Sequence, residues 1–305
     1  MLIGHQKQVE QLRQAVKTGQ LASSYLFSGP DGIGKRLVAL QMAGEMAGDV
    51  HRVENGTHPD VIFLTLLEEK KDINIEQTRK MQAAVQMHPL ESKYKVVIID
   101  NAEKMNSAAA NSVLKILEEP PKATHFFLIS SRPHMLLPTI LSRCQKINFS
   151  PPPEAEAVPF IAKQLGIDEA KAALLYSISG GSIGIASTIS TELMDTVIEQ
   201  IGSLLARPSP TRLIITAEGW AKGDISHETI LSIIAHIYHQ SALKSLGQTV
   251  KSSPSLVQFI ASIANNAPMP TIQKRIAAII AAQRDIEATY NKQLLFEQLL
   301  FTLLG

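Results

Sequence analysis

The first half of the chain alternates short apolar runs with amphipathic stretches. Residues 5–18 place Val9, Leu12 and Val16 at helical spacing, which predicts a helix. Ser24–Ser28 is an apolar run that reads as a strand. It leads straight into Gly29-Pro-Asp-Gly-Ile-Gly34, and a helix is predicted from Lys35 to about Ala47. Asp60–Leu67 reads as a second strand and Ile75–Gln86 as a helix stopped by Pro89. Lys95–Asp100 (KVVIID) has the continuous apolar character of a strand buried on both faces. Asn106–Glu119 reads as an Ala-rich helix stopped by Pro120-Pro121, and His125–Ser130 as a further strand. Strands alternating with helices predict a parallel sheet covered by helices on both faces.

Pro151-Pro152-Pro153 ends this rhythm, and strand signals stop there. Residues 154–189 read as short helices broken at Gly166 and Gly180-Gly181, and long helical patterns dominate from about 192. Over 271–289, Ile272, Ile276, Ile279, Ile280 and Ile286 mark one apolar face, and 291–304 is rich in Leu and Phe. The expected organisation is an α/β domain over 1–150, a small helical domain over 151–190 and an all-α C-terminal domain over 191–305.

Composition narrows the function classes. Of 305 residues 45% are hydrophobic and 19% charged, a globular balance. With 29 basic against 28 acidic residues the net charge is +1, which argues against nucleic-acid binding by bulk charge alone. Aromatics at 5%, with one Trp, disfavour a stacking platform for single strands. The only cysteine, Cys144, permits no internal disulfide and no Cys-rich zinc site. The start, MLIGHQKQVEQL, is polar and amphipathic, unlike a secretory signal, and the apolar runs are too short to span a bilayer. A soluble, cytoplasmic protein without membrane contact is expected.

Candidate chemistry sits in the first domain. Gly29-x-x-x-x-Gly34-Lys35, with Gly32 inside it, lies between a predicted strand and helix, the context of a phosphate-binding loop. Its glycines let backbone N–H groups converge on phosphate oxygens, and Lys35 would reach the terminal phosphates. A glycine-rich turn without a ligand is the plainer alternative. The next position should offer a Ser or Thr hydroxyl to Mg²⁺. Here it is Arg36, whose guanidinium only donates. Asp100 ends an apolar strand where a metal-holding acid belongs, or it caps the strand end. The residue after it, where a Glu would activate water, is Asn101, and an amide cannot take that proton. Glu103, two residues on, would have to bend back to replace it.

Two longer signatures carry a resemblance. Lys95–Pro121 (KVVIIDNAEKMNSAAANSVLKILEEPP) and Leu128–Cys144 (LISSRPHMLLPTILSRC) closely resemble bacterial DNA polymerase III clamp-loader subunits of the AAA+ class. Gly56-Thr-His-Pro-Asp60 and Ile73–Arg79 also fit. The resemblance is strong over 1–150 and rests on domain layout beyond it. It implies an α/β P-loop (AAA+) domain with a parallel sheet, then a small helical lid and an all-α C-terminal collar. It implies that Arg143 of Ser142-Arg143-Cys144 acts as an arginine finger in the ATP site of a neighbouring subunit. Taken alone, Arg143 would read as a structural residue capping a helix or pairing with an acid. Ser130 and Ser131 fall near the position that senses the terminal phosphate. The second sensor, an Arg in a Gly-Ser-x-Arg pattern, is replaced in Gly181-Ser182-Ile183-Gly184. Four zinc-binding cysteines common in the class are missing from Ala47–Asn55, so no zinc is expected and His51 reads as a surface residue.

The resulting expectation is a non-hydrolysing subunit with degenerate Walker motifs in a hetero-oligomer of gamma/tau- and delta-type subunits. That complex would load a sliding clamp onto primer–template DNA, with polymerase activity belonging to the holoenzyme. No cofactor is expected, though Lys35 and the glycines leave weak ATP or ADP binding open. The alternative is a gamma/tau-like motor that hydrolyses ATP, with Glu103 or another acid as base. Elsewhere, Lys7, Arg13 and Lys17 read as a solvated helix face. His236 and His239, three apart without an acidic or Cys partner nearby, read as packing or surface residues. Cys144 reads as a packing residue, not a reactive thiol.

Overall fold

The computed structural model describes residues 2–67, 70–223, 225–250, 254–286 and 289–304, with side chains at all of these except 193, 254 and 255. The chain divides into two compact units, Met1–Pro153 and Glu154–Gly305.

In the first unit, β1 (Ser24–Ser28), β2 (Val61–Leu64), β3 (Lys95–Ile99), β4 (Thr124–Ser130) and β5 (Gln145–Asn148) form one sheet in the order β2-β3-β4-β1-β5. Every pairing is parallel, with Leu26 opposite both Leu128 and Lys146. Because side chains alternate along a strand, the inner strands feed two apolar clusters. Phe27, Val96, Ile98, Phe127 and Ile129 pack on one side with Val9 and Leu12 of α1 (Gln6–Thr18) and Val38 and Met42 of α2 (Lys35–Ala47). Leu26, Val97, Ile99, Phe126 and Leu128 pack on the other. Their partners there include Met81 of α4 (Ile75–Gln86), Val113 of α5 (Ser107–Glu118) and Ile140 of α6 (Pro138–Leu141). A short α3 (Val50–Glu54) follows α2.

Three details differ from the sequence reading. The second strand is Val61–Leu64, shorter than the expected 60–67. β5 has no counterpart in that reading: Ile147 is its only buried residue, so an edge strand of mixed polarity gave no apolar run. Arg13 is not simply solvated, because its Nε donates to both carboxylate oxygens of Glu45 on α2.

The histidine–proline–aspartate segment is structural. The Asp60 carboxylate, fully buried, accepts from the backbone N–H of Leu90, Glu91 and Ser92 at 2.7–2.9 Å and from Ser92 Oγ at 3.1 Å. Burial pushes its pKa up, but the hydrogen bonds from Glu91, Leu90 and Ser92 outweigh that and hold it below the usual carboxylate range.

The second unit is helical: α7 (Glu154–Leu165), α8 (Glu169–Ile178), α9 (Ile183–Ala186), α10 (Thr191–Ala206), α11 (Pro210–Lys222), α12 (His227–Ser245), α13 (Pro254–Asn266), α14 (Met269–Asp285) and α15 (Lys292–Leu304). One apolar cluster runs from Val158 to Leu303, through the segments expected as lid and as collar. α12 is its axis, burying Ile230, Ile233, Ile234, Ile237 and Tyr238. On α14, Ile272 and Ile279 are buried whereas Ile280 is 59% exposed, because 280 lies about 100° around the helix from 279. No described helix is long and apolar enough to cross a membrane.

His236 is buried in α12 and His239 is exposed, consistent with packing and surface roles. His236 Nδ1 lies 3.0 Å from Ser177 Oγ. Burial, helped by nearby His239, pulls its pKa down to about 4.

Two stability effects are expected. Asp60→Ala strands three backbone N–H groups and costs about 3 kcal/mol, read from chemical denaturation. The depressed His236 pKa means that the unfolded chain takes up its proton first as pH falls. Its stabilising contribution is complete above the ordinary histidine pKa of about 6.5 and is lost progressively from there down to about 4. The transition of the second unit, followed by Trp220 fluorescence, therefore weakens by on the order of 2 kcal/mol between pH 7 and pH 5. His236→Gln flattens that dependence.

Candidate functional site

A parallel sheet sends the carboxyl ends of its strands to one edge, so the turns after β1, β3 and β4 converge there. These turns carry Gly29–Gly34, Asp100-Asn101 and Ser130-Ser131. Gly29 is required by proximity: a Cβ there would lie 2.3 Å from the Phe149 carbonyl oxygen. Gly32 (φ 67°) and Gly34 (φ 108°) take left-handed conformations that side chains disfavour. The loop thus has the backbone of a phosphate cradle, followed directly by α2.

Of its charged groups Lys35 is turned inward, whereas Asp31 and Arg36 are exposed. Lys35, 4% exposed, donates through Nζ to the carbonyl oxygens of Gly29 at 2.7 Å and Pro30 at 2.5 Å. Burial pulls its pKa below the ordinary lysine range, against the opposing charges of Asp31, Glu103 and Asp100. Arg36 Nε stands 3.4 Å from Asp100 Oδ2. Burial pushes the Asp100 pKa up, and Arg36 is the main group opposing it. Asp100 Oδ1 also accepts from the backbone N–H of Asn101, which is left-handed at φ 53°. Glu103 Oε1 accepts from Ser131 Oγ at 2.7 Å and Ser131 N at 3.1 Å, while its Oε2 is buried without a hydrogen-bond partner among the described residues. Burial pushes the Glu103 pKa up, but hydrogen bonds, led by that from Ser131, outweigh it and hold it below the ordinary glutamate range. The Ser130 hydroxyl accepts from the backbone N–H of Arg132.

His5 also belongs here. Its Nε2 donates to Ile33 O at 2.6 Å, and its ring packs edge-on against Phe149 with centroids 5.0 Å apart. A Cβ on Gly34 would meet that ring at 3.5 Å. The histidine therefore pins the phosphate loop from the segment ahead of α1. No motif announces it, since its partner is a backbone carbonyl 28 residues away.

Ser142-Arg143-Cys144 forms a second cluster, at the end of α6. Arg143 Nη2 lies 2.6 Å from Glu118 Oε1, and Nη1 donates to Thr139 O at 2.9 Å. Ser142 Oγ donates to the same carbonyl at 3.1 Å. The Cys144 thiol is pushed up to about 11 by burial. In the lid segment, Ser182 caps α9 through Ile185 N, and Gly184 occupies the position that lacks the second-sensor Arg. His51 is exposed on α3, 2.7 Å from Asn55 Nδ2 through Nδ1. Among the described residues no three His, Cys, Asp or Glu side chains gather where they could hold a metal ion.

Residues 4–153 match the family model described as DNA polymerase III, delta subunit. The chain is 37% identical over 177 residues to DNA polymerase III subunit delta' of Pseudomonas aeruginosa, covering 53% of this chain and 54% of that one. It is 27% identical over 314 residues to the delta' subunit of Bacillus subtilis, covering 96% and 94%. With the delta' subunit of Escherichia coli it shares 34% over 134 residues, 44% of this chain and 40% of that one. Residues 4–153 belong to the family that this model describes, and the chain is similar to delta' subunits of DNA polymerase III. The match spans about half the length of the first of these relatives, and only the Bacillus alignment carries through the helical unit. Both clusters lie inside the region that the family model covers.

The raised Cys144 pKa gives a direct check. At pH 8 a thiol of pKa about 11 is almost wholly protonated. A disulfide reagent should modify the native chain about a hundredfold more slowly than the chain in denaturant, where the ordinary cysteine pKa of about 8.5 returns.

Proposed function

We propose that this chain is a non-hydrolysing clamp-loader subunit of the delta-prime type that supplies Arg143 to the ATP site of a neighbouring subunit. It would act in a hetero-oligomer of gamma/tau- and delta-type subunits that opens a sliding clamp and closes it on primed DNA. The clamp and primer–template would be met through that complex, in the cytoplasm.

One observation carries the non-hydrolysing part. Arg36 stands where a metal-binding hydroxyl belongs, with its guanidinium directed to Asp100. A cation beside the one available carboxylate opposes Mg²⁺ binding electrostatically, and an Arg offers no lone pair to replace the lost ligand. Lys35 would have to give up two carbonyl partners to reach a phosphate. Asn101 cannot act as a base, and Glu103 is engaged with Ser131. The motor reading needs Glu103 for that step, so it is the weaker one. Nucleotide held loosely by the glycines and Lys35 without turnover remains compatible with this role.

The positive part rests on Arg143, which stays partly exposed beside Ser142. A guanidinium from a neighbouring subunit stabilises the charge that spreads over a transferring phosphoryl group.

The isolated chain should show no ATP turnover, and its nucleotide affinity should be no higher with Mg²⁺ than without. Turnover by the chain alone, or Mg²⁺-enhanced binding, favours the motor. In the reconstituted complex, Arg143→Ala should lower the ATPase rate at the site it completes. Fingers in well-studied phosphoryl-transfer systems contribute ~10³–10⁵-fold, and turnover at the remaining sites sets how much of that appears in the total. A fully active Arg143→Ala complex overturns the reading.

A further inference from the structure

Arg143 is braced where it stands. Its Nη2 lies 2.6 Å from Glu118 Oε1, and its Nη1 donates to Thr139 O at 2.9 Å and to Ser142 Oγ at 3.4 Å. Glu118 is the last residue of α5. Its position follows from the sequence, because a proline drives the residue before it out of the helical region. Pro120 therefore ends the helix at Glu118, and Glu119 leaves it at φ −126°, ψ 72°. The carboxyl end of α5 adds partial negative charge of its own beside the guanidinium. Both carriers are fixed on one apolar cluster, through Ile116 and Leu117 of α5 and Ile140 of α6, each at most 5% exposed. The carboxylate thus projects from the last residue of a helix, and the guanidinium from the turn that follows α6, two residues past Leu141.

We propose that Glu118 is a positioning residue for Arg143: it holds the guanidinium in the orientation that meets phosphate across the subunit boundary. This rests on the finger reading above. The side chains of the pair are 33% and 49% exposed, too open for the ion pair to matter much to the fold. An unrestrained Arg would lose its rotamer freedom at each encounter, whereas a braced one has already lost it on folding. A guanidinium carries five N–H donors, so one carboxylate, one carbonyl and one hydroxyl still leave donors for phosphate. The first Glu of the LEEPP signature and the Arg of the SRC signature then form one device, built from segments 25 residues apart in the chain.

The test is steady-state ATP hydrolysis by the reconstituted complex carrying Glu118→Gln, Arg143→Ala or both, with assembly of each complex checked by gel filtration. Gln keeps the shape of the side chain and removes its charge. We expect Glu118→Gln to lower kcat at the Arg143-dependent site about two- to fivefold, the scale on which an exposed ion pair can bias an orientation. KM for ATP should stay unchanged, and the double variant should be no slower than Arg143→Ala alone. A structural role would instead alter assembly or lower the rate independently of Arg143. Wild-type turnover in Glu118→Gln, or losses that multiply in the double variant, overturns the brace and leaves the finger in place. An unchanged Arg143→Ala complex removes the finger reading itself.

Discussion

The parallel pairing of β1 between β4 and β5 is the constraint from which the site follows. β1 is buried along its whole length, and its alternating side chains feed one apolar cluster with Phe27 and the other with Leu26. A strand slipped by one residue would exchange the two sets and open both clusters. With the register held, the turn after β1 lies beside the turn after β4, and Gly29 N donates to Ser130 O at 3.3 Å. Asp100 follows β3 on the same edge. The site is therefore a by-product of strand direction: turns remote in sequence meet because parallel strands end together.

At that edge, electrostatic self-satisfaction sets the character of the loop. A buried ammonium is costly unless it is hydrogen-bonded, and Lys35 answers that cost with the carbonyls of its own loop. Arg36 and Asp100 oppose each other across the mouth, and Glu103 is held by the β4 turn. A phosphate loop of this kind can stay rigid without nucleotide, which suits a subunit whose proposed part is to complete its neighbour's site. The same logic runs through Asp60, where one buried carboxylate fixes three consecutive backbone N–H groups.

Most elements of the first unit were legible because their signals are local. Apolar runs marked β1, β3 and most of β4, and the helices carried periodic faces ended by Pro89 or Pro120. β5 was not legible. Three of its four residues are exposed, so only pairing with β1 makes Gln145–Asn148 a strand. Ile280 was placed on the buried face of α14 because a run of isoleucines hides which one faces outward. The candidate site was partly legible in the same way. Glycine spacing, Arg36, Asn101 and the SRC tripeptide are readable as residue types in order, whereas His5 and Glu118 are defined by partners 28 and 25 residues away.

The sequence by itself determined the alternation of strand and helix, the glycine conformations of the loop and the chemical losses at Arg36 and Asn101. Each depends on a residue's own backbone preference or functional groups. Tertiary structure alone decided that Lys35 would turn to the carbonyls of Gly29 and Pro30, that Arg36 would face Asp100 and that Glu118 would face Arg143. Those outcomes depend on distance and burial. Neither exists for a pair of residues until the sheet has fixed its register and the helices have closed over its two faces.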